Sequence, residues 1–199
     1  MDNHKHTQRL SQDQALDLFR KSGALLEGHF LLTSGRHSDR YVQCAQVLKY
    51  PEYTSLLCEE IASRFKEEKI DLVVGPAMGG ILVAYETARH LGVPNLFTER
   101  ENGKMTLRRG FTIQPGQRIL VVEDVVTTGG SVQEVIDLVS SFGAEVAGVG
   151  VLVDRSGGKV SFGVRKEAVI TMEVPSWDKE TCPLCKEGSV AVKPGSRGI

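Results

Sequence analysis

One short segment, residues 118 to 131, constrains the fold of this chain more than any other part of the sequence. It reads RILVVEDVVTTGGS and begins with a continuous apolar run, residues 119 to 122, which is typical of a buried parallel strand. Two carboxylates, Glu123 and Asp124, follow where such a strand would emerge into solvent. A glycine-containing turn then leads into a helical pattern whose apolar residues share one face. The segment therefore predicts a strand–loop–helix unit.

The turn of this unit, residues 127 to 131 (TTGGS), has the composition of a phosphate-binding loop. Its glycines allow a tight turn that exposes backbone N–H groups, and the N-terminus of the next helix adds partial positive charge. The carboxylates of Glu123 and Asp124 cannot hold phosphate, so we expect them to meet sugar hydroxyls or a hydrated Mg²⁺. The segment predicts a site for a sugar phosphate. An ordinary joint without a ligand is the alternative.

Composition and motifs argue against several other classes of protein. A formal net charge of −1 and a pI near 6.5 give no electrostatic reason to expect nucleic acid or an anionic membrane. No apolar stretch reaches membrane-spanning length and the polar N-terminus lacks a signal-peptide core, so we predict a cytoplasmic protein. The loop lacks the GK[ST] ending of a nucleotide triphosphate loop, and no GxGxxG follows a strand.

Strands and helices alternate along the middle of the sequence, which predicts an α/β fold with a central parallel sheet covered on both faces. A single domain, residues 1 to 199, is expected, with a core over about 46 to 172. The flanking segments, about 1 to 45 and 173 to 199, do not continue this alternation. We expect them to pack together as a small cap over the carboxyl edge of the sheet, where ligands of such sheets bind.

The sequence EDVVTTGGS, residues 123 to 131, resembles the phosphoribosyl diphosphate (PRPP) signature of the type I phosphoribosyltransferases. The resemblance implies their fold, and it implies that Glu123 and Asp124 hold the ribose hydroxyls of PRPP and stabilise charge during catalysis. It also implies Mg²⁺ as a cofactor that is held mainly through PRPP, with no direct protein ligand assigned. The resemblance further implies that the 5′-phosphate is bound by the loop residues Thr127, Thr128, Gly129, Gly130 and Ser131.

A second glycine-rich turn, residues 75 to 80 (GPAMGG), lies between a predicted strand and a predicted helix. Taken alone it is a weak signal, and a plain turn is the alternative. It is similar to the pyrophosphate loop of the same family, which implies that Ala77, Met78 and Gly79 meet the leaving pyrophosphate. Some relatives carry a lysine where Gly79 stands, so that charge is missing here.

A polar stretch, residues 99 to 117, follows the next predicted strand, and its first part carries four cations. A solvated surface loop is one interpretation; we favour a mobile lid, because a long loop inside a compact α/β domain needs an explanation. The resemblance implies that Arg100 and Lys104 bind PRPP, with Lys104 catalytic. It also implies a homodimer in which the loop from Arg100 to Arg109 acts in the neighbouring site.

Residues 28 to 39 (GHFLLTSGRHSD) resemble the G-x-F-x-L-x-S-G-R-x-S segment of the orotate phosphoribosyltransferases. The C-terminal CPLCKEGSVAVKPGSR resembles the tail of one bacterial subgroup. The resemblance implies that PRPP and orotate are the substrates, that Arg155 clamps the orotate carboxylate and that Thr127 bonds the ring. A surface ion pair is the plainer interpretation of Arg155. Thr33 replaces a lysine common in the group.

Two rival functions remain open from the sequence. One is phosphoribosyl transfer to a different base, a purine or uracil, which would leave Arg155 no carboxylate to clamp. The other is a regulatory protein that senses PRPP without catalysis. Such a regulator should carry a nucleic-acid-binding element, and the sequence has neither a basic face nor room for a helix-turn-helix.

Two of the four cysteines, Cys182 and Cys185, form a CPLC motif near the C-terminus. Half of a zinc site or a redox pair are the functional interpretations. Zinc needs two further ligands, and the sequence has no second CxxC and no HxxxH. A redox pair would normally follow a strand in a thioredoxin-like unit. We therefore predict a structural turn.

Overall fold

A computed structural model of the chain describes residues 9–32 and 34–194. The strands are β1 (Leu25–Leu31), β2 (His37–Val42), β3 (Leu72–Pro76), β4 (Asn95–Glu101), β5 (Lys104–Thr106), β6 (Arg118–Val126), β7 (Glu145–Asp154) and β8 (Lys166–Thr171). The helices are α1 (Gln12–Lys21), α2 (Ala45–Leu48), α3 (Pro51–Arg64), α4 (Gly79–Leu91), α5 (Gly130–Ser141) and α6 (Pro183–Lys186).

Six strands form the central sheet in the order β5-β4-β3-β6-β7-β8. Each neighbouring pair is parallel except the edge strand β5, which runs antiparallel to β4. The chain moves outward from β3 to β4 and then returns to the other side of β3 with β6. The carboxyl ends of β3 and β6 therefore flank the point where the strand order reverses, and open α/β sheets bind ligands at this point. The predicted α/β class is confirmed.

Burial of β6 on both faces explains its uninterrupted apolar run. Leu120 and Val122 belong to the core cluster that contains apolar residues of α3 and α4. Ile119 and Val121 belong to the opposite cluster, which contains the apolar face of α5. All four side chains are fully buried, and each contributes about 1.5–3 kcal/mol relative to an exposed side chain.

The start of α1 follows the local signal in the sequence. The Ser11 hydroxyl accepts a hydrogen bond from the Gln14 backbone N–H at 3.2 Å, and the Gln14 side chain accepts one from the Ser11 N–H at 2.9 Å. This reciprocal pair is the capping box that the sequence predicts. Helix α3 likewise begins with Pro51 in its first turn.

The first part of the polar stretch, residues 99 to 106, is not the loop that we predict from the sequence, whereas residues 107 to 117 form neither helix nor strand. Strand β4 continues to Glu101, and the chain folds back so that Lys104 pairs with Glu101 in an antiparallel ribbon. The turn residues Asn102 and Gly103 both have positive φ, 50° and 81°. An Asn-Gly pair favours this tight hairpin turn, and this local preference was overlooked.

The N-terminal hairpin and the C-terminal tail lie against each other. Strands β1 and β2 pair with one another, outside the central sheet. Val192 exchanges backbone hydrogen bonds with His29 and Leu31 of β1, and Trp177 exchanges two with His37 of β2, all at 2.8 Å. Thr33 and the last five residues lie outside the described residues. No helix in the described ranges has the length and apolar character needed to cross a membrane.

Candidate active site

The two glycine-rich loops meet at the carboxyl ends of β3 and β6. A Cβ placed on Gly79 would lie 2.2 Å from Oδ2 of Asp124, and one on Gly80 would lie 3.2 Å from Oε1 of Glu123. The loop that contains Ala77, Met78 and Gly79 therefore touches the acid pair directly. Any side chain at position 79 would displace the Asp124 carboxylate. The close contact therefore favours glycine at position 79 of this chain.

The acid pair lies inside strand β6 and not beyond its end. The sequence predicts that the strand stops before Glu123, but pairing with β7 continues through Val126, opposite Asp154. Glu123 is only 8 % exposed, and its Oε1 accepts a hydrogen bond from the Asp124 N–H at 3.0 Å. The prediction that the pair emerges into solvent is wrong for Glu123, because the strand continues past it and its carboxylate lies against Gly80 of α4.

Burial changes the protonation of both carboxyl groups. Desolvation, with the added repulsion of Asp124, raises the pKa of Glu123 to about 9. Desolvation also raises the pKa of Asp124. Two adjacent buried carboxylates repel each other until a cation or hydroxyl donors arrive. The pair is therefore an oxygen donor set that would gain from a hard cation such as Mg²⁺.

The raised pKa predicts how the stability of the ligand-free protein changes with pH. The Glu123 carboxyl has a pKa of about 4.3 in the unfolded chain and about 9 in the folded one. Between these values the folded state binds more protons, so the free energy of unfolding falls as pH rises. We expect a slope of up to about 1.4 kcal/mol per pH unit from this group, reduced in Glu123→Gln.

Urea unfolding of both proteins between roughly pH 6 and 9 measures the two slopes. Glu67→Gln is the matched control, because it removes one glutamate from an exposed position. An equal slope in the wild type and in Glu123→Gln would show that Glu123 is not the group responsible.

The TTGGS loop leaves the start of α5 open. Helix α5 begins at Gly130 after Gly129, with no side-chain cap and no acidic residue in its first turn. Its first backbone N–H groups thus have no side-chain acceptor, unlike those of the capped helix α1. Gly129 has a φ of 83°, and a Cβ there would lie 2.7 Å from Val160 and 2.8 Å from Phe162. Glycine is required at this position.

Helix α4 repeats this arrangement at the neighbouring loop. It begins at Gly79 after Met78, again with no side-chain cap and no acid in the first turn. The Ala77–Met78 peptide bond is cis, and the Met78 side chain is 82 % exposed. Two uncapped helix N-termini therefore flank one acid pair, which is the arrangement expected for a ligand with two separate phosphate groups.

Arg155 lies at the end of β7, next to the phosphate loop. Its backbone N–H donates to Val126 at 2.8 Å, which sets it across from Thr127. Desolvation lowers the pKa of Arg155, and its Nε is buried without a hydrogen-bond partner among the described residues. Asp154 instead bonds Lys166 at 2.6 Å. The surface ion pair considered as the alternative for Arg155 is therefore not formed.

Cys44 and Tyr41, from the predicted cap, lie beside this site, and neither was predicted as a site residue. The Cys44 thiol donates to the backbone oxygen of Asp124 at 3.6 Å. Burial, with the nearby acid pair, raises the pKa of this thiol well above its usual range. Cys44 and Tyr41 also lie near the Arg155 guanidinium.

The proposed lid residues are held elsewhere. Arg100 makes a two-bond ion pair with Glu134 of α5, at 2.7 and 2.8 Å. Arg109 pairs in the same way with Glu99, while Lys104 is exposed and has no ion pair within the described ranges. Neither Arg100 nor Lys104 bonds the acid pair or a glycine-rich loop of its own chain. The structure thus does not bring these two cations into this chain's site.

A second group of side chains that sequence reasoning failed to connect lies in the cap. His29 of β1 and His37 of β2 lie beside Cys182 and Cys185 of the CPLC motif. The two histidines are eight residues apart and flank a turn, so the spacing rules for a local HxxxH pair do not find them. The pairing of β1 with β2 is what places the two histidines side by side.

Comparison with known proteins agrees with the geometry. Residues 48–178 match the model of the phosphoribosyl transferase domain. The chain is 62 % identical over 190 residues to an orotate phosphoribosyltransferase of Desulforamulus reducens. The alignment covers 96 % of this chain and 100 % of the relative. It is 55 % identical over 183 residues to that of Thermotoga maritima, covering 92 % and 98 %.

The fold is also similar to solved structures. The crystal structure of orotate phosphoribosyltransferase from Aeropyrum pernix matches with a TM-score of 0.63 and 30 % identity, over 78 % of this chain and 92 % of that chain. The enzyme of Mycobacterium tuberculosis in complex with inorganic phosphate matches with a TM-score of 0.66 and 25 % identity, over 81 % and 95 %. The chain therefore belongs to the phosphoribosyltransferase family and, within it, to the orotate phosphoribosyltransferases.

Proposed function

We propose that this chain transfers the 5-phosphoribosyl group of PRPP to orotate and releases orotidine 5′-phosphate and pyrophosphate, a step of pyrimidine biosynthesis. The observation that carries the choice of base is Arg155. This half-buried cation has a buried, unbonded Nε and no carboxylate partner in the described chain. It lies beside Thr127 at the edge of the phosphate loop. A planar carboxylate such as that of orotate would satisfy its guanidinium through two parallel hydrogen bonds.

Binding of PRPP follows from the two uncapped helices. We assign the 5′-phosphate to Thr127, Thr128 and the first turn of α5, and the pyrophosphate to the loop from Ala77 to Gly79. The acid pair between these loops is assigned to the ribose hydroxyls, because carboxylates accept hydrogen bonds from hydroxyls but repel phosphate. The ribose is thereby fixed with C1′ facing the base. This positioning lowers the entropic cost of bringing the two substrates together for reaction.

The reaction itself is a displacement at C1′. The bond from C1′ to the pyrophosphate oxygen breaks with its electron pair, and a ring nitrogen of orotate forms the new bond from the opposite face. Positive charge develops on the ribose as the first bond loosens. Glu123 and Asp124, held beneath it in a buried strand, stabilise that charge when they are ionised.

Mg²⁺ is the proposed cofactor. The donor set fits, because Glu123 and Asp124 offer adjacent carboxylate oxygens whose mutual repulsion a divalent cation would relieve. When bound, the ion neutralises charge on the pyrophosphate. Its binding would also favour the ionised form of the acid pair.

A homodimer in the cytoplasm completes the proposal. All four cysteines are free thiols, as is usual for proteins in reducing compartments. The ribbon formed by β4 and β5 presents Lys104 to solvent, and Arg100 is tied to α5. We propose that Lys104 serves the site of the partner subunit.

Two rival functions are less well supported. Transfer to a neutral base would leave Arg155 buried and unpaired. A regulator that senses PRPP without catalysis should carry a nucleic-acid-binding element, and the sequence has no basic face for one. Orotate consumption with PRPP and Mg²⁺, measured spectrophotometrically beside uracil, hypoxanthine and adenine, separates these functions. Consumption of another base in place of orotate, or of none, would contradict the proposal.

Subunit mixing tests the shared site. Lys104→Ala and the double variant Glu123→Gln, Asp124→Asn are each expected to be inactive alone. After subunit exchange, a mixed dimer has one site with both defects and one with neither. Activity should recover to about a quarter of the wild-type value, since about half of the dimers are mixed and half of their sites are intact. No recovery, despite exchange seen by mass spectrometry, would show that Lys104 serves its own subunit.

A further inference from the structure

We infer that the cap contains a structural Zn²⁺ site formed by His29, His37, Cys182 and Cys185. The four ligand atoms, one ring nitrogen or sulfur from each residue, all lie within 4.8 Å of one another. They come from three separate segments: β1, β2 and the tail around α6. Nothing in the proposed transfer reaction uses them.

The distances within the cluster are those of a small coordination shell. His29 Nε2 lies 3.5 Å from Cys182 Sγ and 3.7 Å from Cys185 Sγ. Cys185 Sγ lies 3.3 Å from His37 Nδ1, and the two ring nitrogens are 2.8 Å apart. A tetrahedral zinc ion with the usual bond lengths has ligand-to-ligand distances of about 3.3–3.8 Å. A small separation of the two rings would therefore admit the ion.

Hydrogen bonding among these residues does not explain their arrangement. Nε2 of His29 faces three polar atoms at once, those of His37, Cys182 and Cys185. A ring nitrogen carries one proton or one lone pair, so it makes one good hydrogen bond and leaves the other contacts unused. A shared cation accepts a lone pair from all four atoms. Convergence on one point is what coordination requires.

Burial and ligand count indicate a structural ion and not a catalytic one. His29, His37 and Cys182 are buried, and Cys185 is half-buried. Four protein ligands leave no open position for water or substrate. Two thiolates would neutralise the charge of Zn²⁺, and the Cys₂His₂ set is one that zinc prefers over magnesium or calcium.

The ion would join the tail to the hairpin. Without it, this joint in the described chain is made by the four backbone hydrogen bonds of Val192 and Trp177. Side-chain contacts add to these, such as those of Arg36 with Ser176 and Asp178, and of the Ser38 hydroxyl with the Pro175 oxygen at 2.7 Å. Cys182 precedes α6 and Cys185 lies three residues later, so both sulfurs lie on one side of a single turn. A small cap with little core of its own gains most from such a link.

Metal analysis of the full-length protein tests the site directly. The protein is purified from cells grown with zinc and then dialysed. Elemental analysis by inductively coupled plasma mass spectrometry should find about one Zn²⁺ per chain. Removal of zinc by a chelator should lower the melting temperature by at least about 8 °C, and added Zn²⁺ should restore it. Co²⁺ in its place should give the absorption of a tetrahedral ion with thiolate ligands.

Variants separate this site from chance binding. Cys182→Ser, Cys185→Ser, His29→Gln and His37→Gln should each lose most of the zinc. Cys58→Ala and His90→Gln are matched controls, since Cys58 is buried in α3 and His90 lies on α4, away from the cluster. Cys185→His keeps four ligands but only one thiolate, so it should still bind Co²⁺ with a weaker thiolate absorption band. This result would show that the serine variants lose metal because a ligand is missing and not because they misfold.

Three results would each overturn the inference. The first is wild-type protein with less than about 0.1 zinc per chain after supply of the ion. The second is zinc content that the four cluster variants retain as fully as the two controls. The third is an intact mass two hydrogens lower that maps to a Cys182–Cys185 disulfide, which would make the motif a redox pair. None of these results bears on orotate transfer, so this site and the proposed function are tested separately.

Discussion

The double variant Glu123→Gln, Asp124→Asn should retain its fold and lose at least about 10³-fold in kcat with orotate. Both substitutions keep the shape of the side chains and remove two charges aimed at the developing positive charge on the ribose. The fold should not suffer, because burial already disfavours the charged forms of both groups. We expect the melting temperature of the variant to equal or exceed that of the wild type. Steady-state kinetics and thermal unfolding measure the two effects.

The control for this experiment removes two adjacent acids from the surface. Glu67→Gln with Glu68→Gln changes the net charge equally, but these residues lie after α3, where Glu68 makes exposed ion pairs with Arg118 and Arg165. Such pairs contribute about 0–1 kcal/mol, and activity should be unchanged. Near-normal kcat in the Glu123 and Asp124 variant would show that the acid pair does not stabilise the transition state.

Local signals predicted most of the sheet and the helices that cover it. The apolar run of β6 specified a strand buried on both faces, and Ser11 with Gln14 specified the start of α1. The sequence also predicts that the first glycine-rich loop and the acid pair face one ligand, and the structure places Gly79 of that loop against Asp124. These features depend on residues close together in sequence or on the parallel-sheet rule, which is why sequence alone sufficed.

Features set by contacts between distant segments were not predictable in the same way. The Glu123 carboxylate is buried where it lies against Gly80 of α4, which belongs to an earlier strand–helix unit. The β4–β5 ribbon was predictable in principle from Asn102 and Gly103, but the charge of the stretch favoured a loop. The four-residue cluster in the cap depends on the tail meeting the hairpin, and no local spacing encodes that meeting.

Arg155 offers the clearest test of base recognition. The sequence predicts that it binds the orotate carboxylate, and in the structure its Nε has no hydrogen-bond partner among the described residues. In Arg155→Ala the orotate carboxylate loses its two-bond contact in a largely buried place, at a cost of roughly 2–4 kcal/mol. We expect kcat/KM for orotate to fall about 30- to 1,000-fold. PRPP binding, measured by calorimetry, should change little, since its phosphates bind the loops at α4 and α5.

Two further variants show whether charge or shape matters at this position. Arg155→Lys keeps the charge but not the planar fork, so it should recover only part of the lost activity. Arg20→Ala removes an arginine from an exposed pair on α1 and should be neutral. If Arg155→Ala weakened PRPP and orotate equally, Arg155 would be a structural residue of the β6–β7 edge. Weakening confined to orotate would instead assign the selection of an anionic base to Arg155, whose Nε is buried without a hydrogen-bond partner among the described residues.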